Sequence, residues 1–348
     1  MTRTRVLLVG RFAPTALERS YASAFDDLGC EVRNFDIAAS INRYCRLGRL
    51  GRYFNTYVPV EPWVHKADRE LIVIAREFRP SVLIVVGQNR VRAGALAQIR
   101  SMLPLQVVFI WPDSLKELSE ASIASLPLYD LVATYGRGTL AQFQRLGARR
   151  VEWVALAGDP HMASDVSLLS EGERNTFGAD ISFIGQWRPE RGAAMQVVLD
   201  NFGDKSIKIW GPDWGRRARG QDTILKAWQG RSLYEKEYHH VLAASRISLN
   251  IIDDTNYPAA NMRFFEIPMA GGVQVASPCP ELEGEFKHGE AIFYYHSVDE
   301  LVELLGLLLS NDSLRHQVAD ASHKLVVHQH TYQHRAQEIL GMLNDAAA

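Results

Sequence analysis

The sequence predicts an α/β protein built from two doubly wound parallel sheets. Short runs rich in β-branched and apolar residues alternate with longer stretches of helical period along the whole chain. Those strand-like runs are almost continuously apolar, as strands buried on both faces must be. At 348 residues the chain is long enough for two separate cores, and a polar, irregular stretch at 157–179 falls near its middle.

The elements follow in order. In the first half, strands are expected at 5–10 (RVLLVG), 31–37, 81–87 (SVLIVVG), 105–111 (LQVVFIW), 130–135 and 150–156. Amphipathic stretches near 15–28, 63–78, 92–102 and 138–147 are the helices between them. After the connector, strands are expected at 180–185 (DISFIG), 206–211 (SIKIWG), 247–252 (ISLNII), 273–277 and 291–296. Helical stretches near 190–201, 232–244, 261–271, 298–310, 312–328 and 332–345 complete the series. The predicted division is an N-terminal domain over 1–160, a linker over 161–179 and a C-terminal domain over 180–332. In such sheets ligands bind outside the carboxyl ends of the strands, so two domains facing each other put a ligand site in the cleft between them.

Composition narrows the function classes. Lys and Arg total 38 against 40 Asp and Glu, which argues against nucleic-acid binding through bulk positive charge. Cys30, Cys45 and Cys279 share no close spacing, so neither a disulfide framework nor a zinc knuckle is expected. The apolar run after the N-terminal Arg residues is too short for a signal-peptide core, and no run approaches the length of a membrane span. The expectation is a soluble, cytoplasmic protein.

The first strand ends at Gly10-Arg11-Phe12-Ala13-Pro14, without the G-x-G-x-x-G of a dinucleotide fold. The second half opens more tellingly with Phe183-Ile-Gly-Gln-Trp-Arg-Pro-Glu-Arg-Gly192. A strand ends at Gly185 and a helix starts near Pro189, so exposed N–H groups and the helix dipole make an anion site, with Arg188 and Arg191 able to add charge-assisted contacts. The plainer alternative is an ordinary βα loop with surface arginines. The stretch Asn261-Met-Arg-Phe-Phe-Glu-Ile-Pro-Met-Ala-Gly-Gly272 sets Arg263 and Glu266 three residues apart on a helix. A carboxylate suits ribose hydroxyls and a guanidinium suits phosphate. Gly271 and Gly272 permit a sharp helix exit and close backbone approach. An i,i+3 surface ion pair with a helix cap is the alternative here.

Together these two stretches resemble the nucleotide-sugar site of GT-B glycosyltransferases, in particular the CgeB-like (spore-maturation protein) group related to the retaining family-four enzymes. The resemblance covers nearly the whole chain, strongly after residue 180. It implies two Rossmann-like domains facing across a cleft, donor in the second and acceptor in the first. It implies that Gly185, Arg188, Arg191, Asn261, Arg263, Gly271 and Gly272 surround the donor, that Arg191 is the basic residue on the diphosphate and that Glu266 holds the ribose. The ending His330-Thr331-Tyr332, then Arg335, is similar to the group's C-terminal stretch, after which the last helix, about 333–348, packs back on the first domain. Two positions depart from the family-four pattern. Pro258 stands where those enzymes carry a glutamate, and Gln186 where they carry an arginine just after the strand glycine. Retention or inversion is therefore left open.

The implied function is sugar transfer from a nucleoside-diphosphate-sugar to an acceptor hydroxyl in glycan or glycoconjugate biosynthesis. Neither metal nor cofactor is expected beyond the donor itself. A nucleotide-sugar epimerase on the same fold, or a catalytically silent binding or scaffold paralogue, are the competing readings. Asp113, in Trp111-Pro112-Asp113 at a strand end, is the candidate catalytic residue as proton acceptor, with a turn or helix-cap role as the alternative. His323, His328, His330 and His334 are read as a solvated helix face rather than a metal site, and Asp253-Asp254 as a loop or helix entry. Arg43, Arg46, Arg49 and Arg52 recur every third residue, in a segment 1–60 with nine basic and five acidic residues. Peripheral contact of 43–53 with an anionic membrane or lipid-diphosphate acceptor is one reading, a surface loop the other. Trp210 and Trp214 are read as stacking partners for a base or sugar, or as core.

Overall fold

A computed structural model describes residues 3–345 except 15, 46–47, 49–50, 52–59, 163–166 and 168. The chain divides into two compact units. Unit 1 joins the residues up to Ala155 with those from Tyr332 onward, and unit 2 is the continuous segment Leu156–Thr331.

Unit 1 holds a six-stranded, all-parallel sheet of β1 (Arg5–Gly10), β2 (Glu31–Asp36), β3 (Val82–Val86), β4 (Gln106–Trp111), β5 (Leu131–Thr134) and β6 (Val151–Trp153), in the order β2-β1-β3-β4-β5-β6. Register pairs Val9 with Phe35 on one side and Val85 on the other. All of Val6–Val9 and Leu83–Val85 are inaccessible to solvent, which accounts for their unbroken apolar sequence. The helix Glu61–Phe78 covers one face with Val64, Ala67, Leu71, Ala75 and Phe78, a three-and-four spacing. The terminal helix Tyr332–Asp345 packs against the first helix, Leu17–Asp27, where the rings of Tyr21 and Tyr332 meet edge-on at 5.2 Å. Arg335 Nε donates to the Ala155 carbonyl at 3.0 Å and Arg150 Nη1 to that of Met342 at 2.6 Å, tying this helix to β6 and its exit.

Unit 2 carries β7 (Ile181–Ile184), β8 (Ile207–Trp210), β9 (Ile247–Asn250), β10 (Gln274–Ala276) and β11 (Phe293–Tyr294), all parallel, in the order β11-β10-β9-β7-β8. Ile181, Phe183, Ile247, Leu249 and Val275 form its central layer. Both sheets reverse their strand order once, beside β1 in unit 1 and beside β7 in unit 2. These are the switch points at which open α/β sheets leave a crevice beyond their carboxyl ends.

Part of the stretch expected to be a linker is helical: Glu171–Phe177 starts with a capping box between Ser170 and Glu173 and packs against the helix Glu235–Ala244. Among the described residues, the short helices Ile37–Arg43, Glu120–Ser125, Trp214–Arg217 and Asp222–Ala227 were not expected. With at most two turns each, they are too brief for a periodic signal. No helix among the described residues is long and apolar enough to cross a membrane.

Candidate functional site

The 183–192 and 261–272 stretches meet at the switch point of unit 2. Beyond β7, Gly185 lies under the guanidinium of Arg263, whose Nη1 donates to the Ile184 carbonyl at 2.6 Å. A Cβ on Gly185 would sit 2.6 Å from that nitrogen. Gly211, at the end of β8 with φ +134°, presses on the same turn, and a Cβ there would lie 2.0 Å from the Gly185 carbonyl oxygen. Gly185 must be glycine for Arg263 to lie across it, and Gly211 for the end of β8 to pack on the Gly185 turn.

Asn250 closes β9 from within. Fully buried, it accepts from Asn261 Nδ2 at 2.8 Å and from Arg263 Nε at 3.4 Å, and donates to Gln274 Oε1 at 2.8 Å. Asn261 Oδ1 in turn accepts from the Phe264 backbone N–H at 3.1 Å, starting the helix Arg263–Met269. One residue turn further along, Glu266 faces inward and accepts from the Tyr238 hydroxyl at 2.6 Å. Burial pushes its carboxyl pKa up, against the opposing pull of Tyr238 and Arg263. No ion pair between Arg263 and Glu266 forms, so the surface-pair alternative does not describe this helix.

The helix Pro189–Asn201 begins at the same place. Its N-cap is the exposed Arg188, and no side chain caps its first turn. The free N–H groups and dipole of that turn therefore favour an anion. Arg191, expected to meet a diphosphate directly, is turned inward instead. Its Nη2 pairs with Asp253 at 2.8 Å, Nη1 donates to the Gln186 carbonyl at 3.1 Å and Nε to that of Ile251 at 3.2 Å. Burial, then the repulsion of Arg263, lowers its pKa to about 10, so it remains a cation at neutral pH. Asp253 is its counter-ion and also accepts from Thr255 and Asn256, and these contacts hold its own pKa below the usual range despite burial. Three arginines thus converge on the carboxyl ends of β7 and β9, with Asp253 as the buried carboxylate among them.

Other expected residues fall elsewhere. Gly271, at φ +75°, and Gly272 end the helix at the amino edge of β10, where a Cβ on Gly272 would come within 2.8 Å of the Leu242 carbonyl. They cap and pack the helix, and their placement near the donor is corrected, because the helix runs back along the sheet away from the strands' carboxyl ends. Gln186 donates to Asp213 at 2.9 Å and so supports the β8 loop. Trp210 and Trp214 are buried, and Trp214 Nε1 donates to the Gly185 carbonyl at 2.8 Å, so they belong to the core and not to a stacking surface. Asp113 follows β4 in unit 1, half-buried, and accepts from the Ser114 N–H at 2.7 Å, a local turn contact.

His323 Nδ1 lies 2.9 Å from the Pro268 carbonyl, and His330 is buried between Phe265 and Phe286 with Glu285 at 3.1 Å, so part of the histidine run is core rather than solvated face. Among the described residues no cluster of three or more His, Cys, Asp or Glu has the arrangement of a metal site. Of the basic run, Arg43 pairs with Glu70 at 2.8 Å, while Arg46, Arg49 and Arg52 lie outside the described residues. Asn250 and Tyr238 escaped the sequence reading, and Asp253 was expected only as part of a loop or helix entry, since partners 11 to 62 positions apart leave no local pattern.

Residues 191–341 match a protein-family model described as glycosyl transferase-like. The whole fold matches solved glycosyltransferases. A sucrose-phosphate synthase from Thermosynechococcus elongatus superposes with a TM-score of 0.70 at 14% identity, covering 99% of this chain and all of that one. The fold is GT-B. Similar GT-B structures include a glycosyltransferase from Rickettsia africae (TM-score 0.68, 8% identity, 99% of both chains) and Anabaena HepE in complex with UDP-glucose (0.60, 12% identity, 99% and 100%). No curated protein sequence matches this chain. Unit 2 contains nearly all of the matched residues, and the arginine cluster lies in unit 2, with Arg188 just ahead of the match.

Proposed function

We propose that this protein is a glycosyltransferase that moves a sugar from a nucleoside-diphosphate-sugar to an acceptor hydroxyl. The observation that carries the reading is the convergence of Arg188, Arg191 and Arg263 on the uncapped start of the helix Pro189–Asn201, at the switch point of unit 2. In the transfer the bond from the anomeric carbon to the diphosphate breaks, a bond to the acceptor oxygen forms, and the acceptor loses a proton. Charge then accumulates on the departing diphosphate. Arg263, held by the Ile184 carbonyl and Asn250, and the helix N–H groups are in place before reaction, where preorganised donors lower a barrier, and the exposed Arg188 adds its charge beside them. Arg191 contributes from behind, through its charge and by anchoring the Gln186 and Ile251 carbonyls. Glu266, oriented by Tyr238, holds the ribose hydroxyls, and Asn261 sets the helix on which it sits.

In unit 1, Asp113 is assigned the proton-acceptor role from its position at the end of β4. Asp113→Asn should lower turnover while leaving nucleotide affinity unchanged. Peripheral membrane contact through 43–53 belongs to the same proposal and draws on the basic surface of Arg43, Lys66 and Arg69. A role in glycan or glycoconjugate biosynthesis in the cytoplasm also belongs to it.

HepE was solved with UDP and UDP-glucose, which makes uridine the first base to try. Calorimetric titration with UDP, GDP, dTDP, ADP and CMP is the test, on the wild type and on Arg188→Gln and Arg263→Gln. Binding of one nucleoside diphosphate, weakened about tenfold or more in either variant, supports the site. Absence of binding by all five would overturn it in favour of the scaffold reading.

A further inference from the structure

Among the described residues only two aromatic rings are exposed, Tyr234 at 61% and Tyr257 at 56%, and both stand in loops at the carboxyl-end side of the unit 2 sheet. Tyr257 belongs to the loop after β9, where its backbone N–H donates to the carbonyl of Asp253, the partner of Arg191. Tyr234 stands at the start of the helix Glu235–Ala244, which leads into β9. It occupies the N-cap, a position that favours Ser, Thr, Asp or Asn, and its side chain caps nothing. The next residue, Glu235, has φ +50°, a conformation that a non-glycine residue keeps only where the surrounding structure imposes it. Neither burial nor helix capping accounts for a tyrosine at this point.

The segment that carries Tyr234 is fixed around it. Leu233 is buried, the Arg231 carbonyl accepts from the Gly211 N–H at 3.0 Å, and Arg231 Nη1 and Nη2 donate to the two carboxylate oxygens of Glu237 at 2.5 and 3.0 Å. These contacts also set the charge beside the ring. Arg231 and Glu237 cancel as a bidentate pair, and the exposed Glu235 and Lys236 are adjacent and opposite in sign. Such a surface suits an uncharged, flat group rather than a further phosphate. Covalent order says which part of a nucleotide that is. The helix Pro189–Asn201, whose start is the anion site, packs on the Phe183 face of the sheet through Met195 and Val198. The helices Glu235–Ala244 and Arg263–Met269 pack on the Ile184 face through Val241, Leu242 and Ile267. There Tyr238 meets Glu266, and Tyr234 lies four residues, one helical turn, ahead of Tyr238. Past a ribose at Glu266, the next group along a nucleotide is its base, and Tyr234 is the exposed ring on that side. Tyr257, tied to Arg191 through Asp253, is on the diphosphate side.

We infer that Tyr234 is the platform on which the nucleobase of the donor stacks. The inference rests on the nucleotide-sugar reading of unit 2 and adds to it the residue that meets the base. UDP, GDP, dTDP, ADP and CMP are titrated by calorimetry into the full-length protein and its Tyr234→Ala and Tyr234→Phe variants, and the thermal unfolding of all three is recorded. For a nucleotide that the wild type binds, Tyr234→Ala should weaken affinity about 5- to 150-fold, the span of one base–aromatic stack, while Tyr234→Phe, which keeps the ring face, stays within about twofold. The unfolding midpoints should coincide, because the ring is exposed. Nucleotide binding that Tyr234→Ala weakens less than about fivefold overturns the inference and leaves the donor site standing. An equal loss in Tyr234→Phe also overturns it, since the effect then belongs to the hydroxyl and not to the ring face. Failure of the wild type to bind any of the five overturns it together with the donor site.

Discussion

In the proposed donor site Glu266 accepts from Tyr238, and the ribose role proposed for it should be visible in pH dependence. The carboxyl pKa is raised by burial, so affinity for a nucleoside diphosphate should fall on acidification at a pH above the ordinary value of 4.5. Glu266→Gln should lower affinity by about 10- to 100-fold at neutral pH and abolish that acid limb, read by titration calorimetry between pH 4.5 and 8. His239, buried one residue away, acts on stability. Burial holds its pKa at about 4, against 6.5 for a free imidazole, so the folded state refuses a proton that the unfolded chain accepts. Stability from this group is intact above pH 6.5 and is lost as pH falls toward 4, by about 3 kcal/mol at the acid end. Denaturant unfolding at pH 7 and pH 4.5 should show this loss, and His239→Gln should reduce it.

At the scale of elements, the strand ends around Arg263 tolerate nothing larger than hydrogen. Gly185→Ala should displace the guanidinium at modest cost in thermal stability but reduce nucleotide binding sharply, because the colliding atom is a side-chain nitrogen. Gly211→Ala meets backbone instead, at a positive φ, and should lower the thermal midpoint strongly as well. Calorimetry of the two variants separates these outcomes. The elements themselves were largely legible. The eleven strands among the described residues lie within the expected runs, since a parallel strand buried on both faces leaves an apolar signature in its own residues. Short helices such as Trp214–Arg217 left none. Within the site, Arg263, Glu266 and Gly185 stood out because their spacing is local. The Arg191–Asp253 pair and the Tyr238–Glu266 contact did not, because folding alone brings them together. Gly271 and Gly272 were misplaced for a related reason: the sequence names a glycine turn without saying which end of the sheet it occupies.

At the scale of the whole molecule, unit 1 depends on the last helix. Tyr332, Ala336, Ile339 and Leu343 are buried, and each such side chain returned to water costs about 1–3 kcal/mol. A chain ending at Thr331 should therefore lose the unfolding transition of unit 1 or have it shifted far down, while UDP binding by unit 2 survives. Scanning calorimetry with and without UDP tests this, since ligand raises only the transition of the unit that binds it. The GT-B fold and the transferase class were readable before any geometry, because two local stretches carry them. A cavity of about 410 Å³ in unit 1, bordered by Arg11 and Arg90, was not, because its walls come from loops and helices scattered between β1 and the helix Glu120–Ser125.

The division of the chain also fixes a timetable. Synthesis runs from the N-terminus, and domains generally fold in the order in which they emerge. Here the first-made unit is the last to be finished. Its six strands leave the ribosome well before the helix Tyr332–Asp345 that covers the helix Leu17–Asp27, whereas Leu156–Thr331 is continuous and complete as soon as it has emerged. For the whole time that unit 2 is being made, the apolar face around Tyr21 waits for its cover. That interval is when the nascent protein is most exposed to aggregation and has most need of a chaperone.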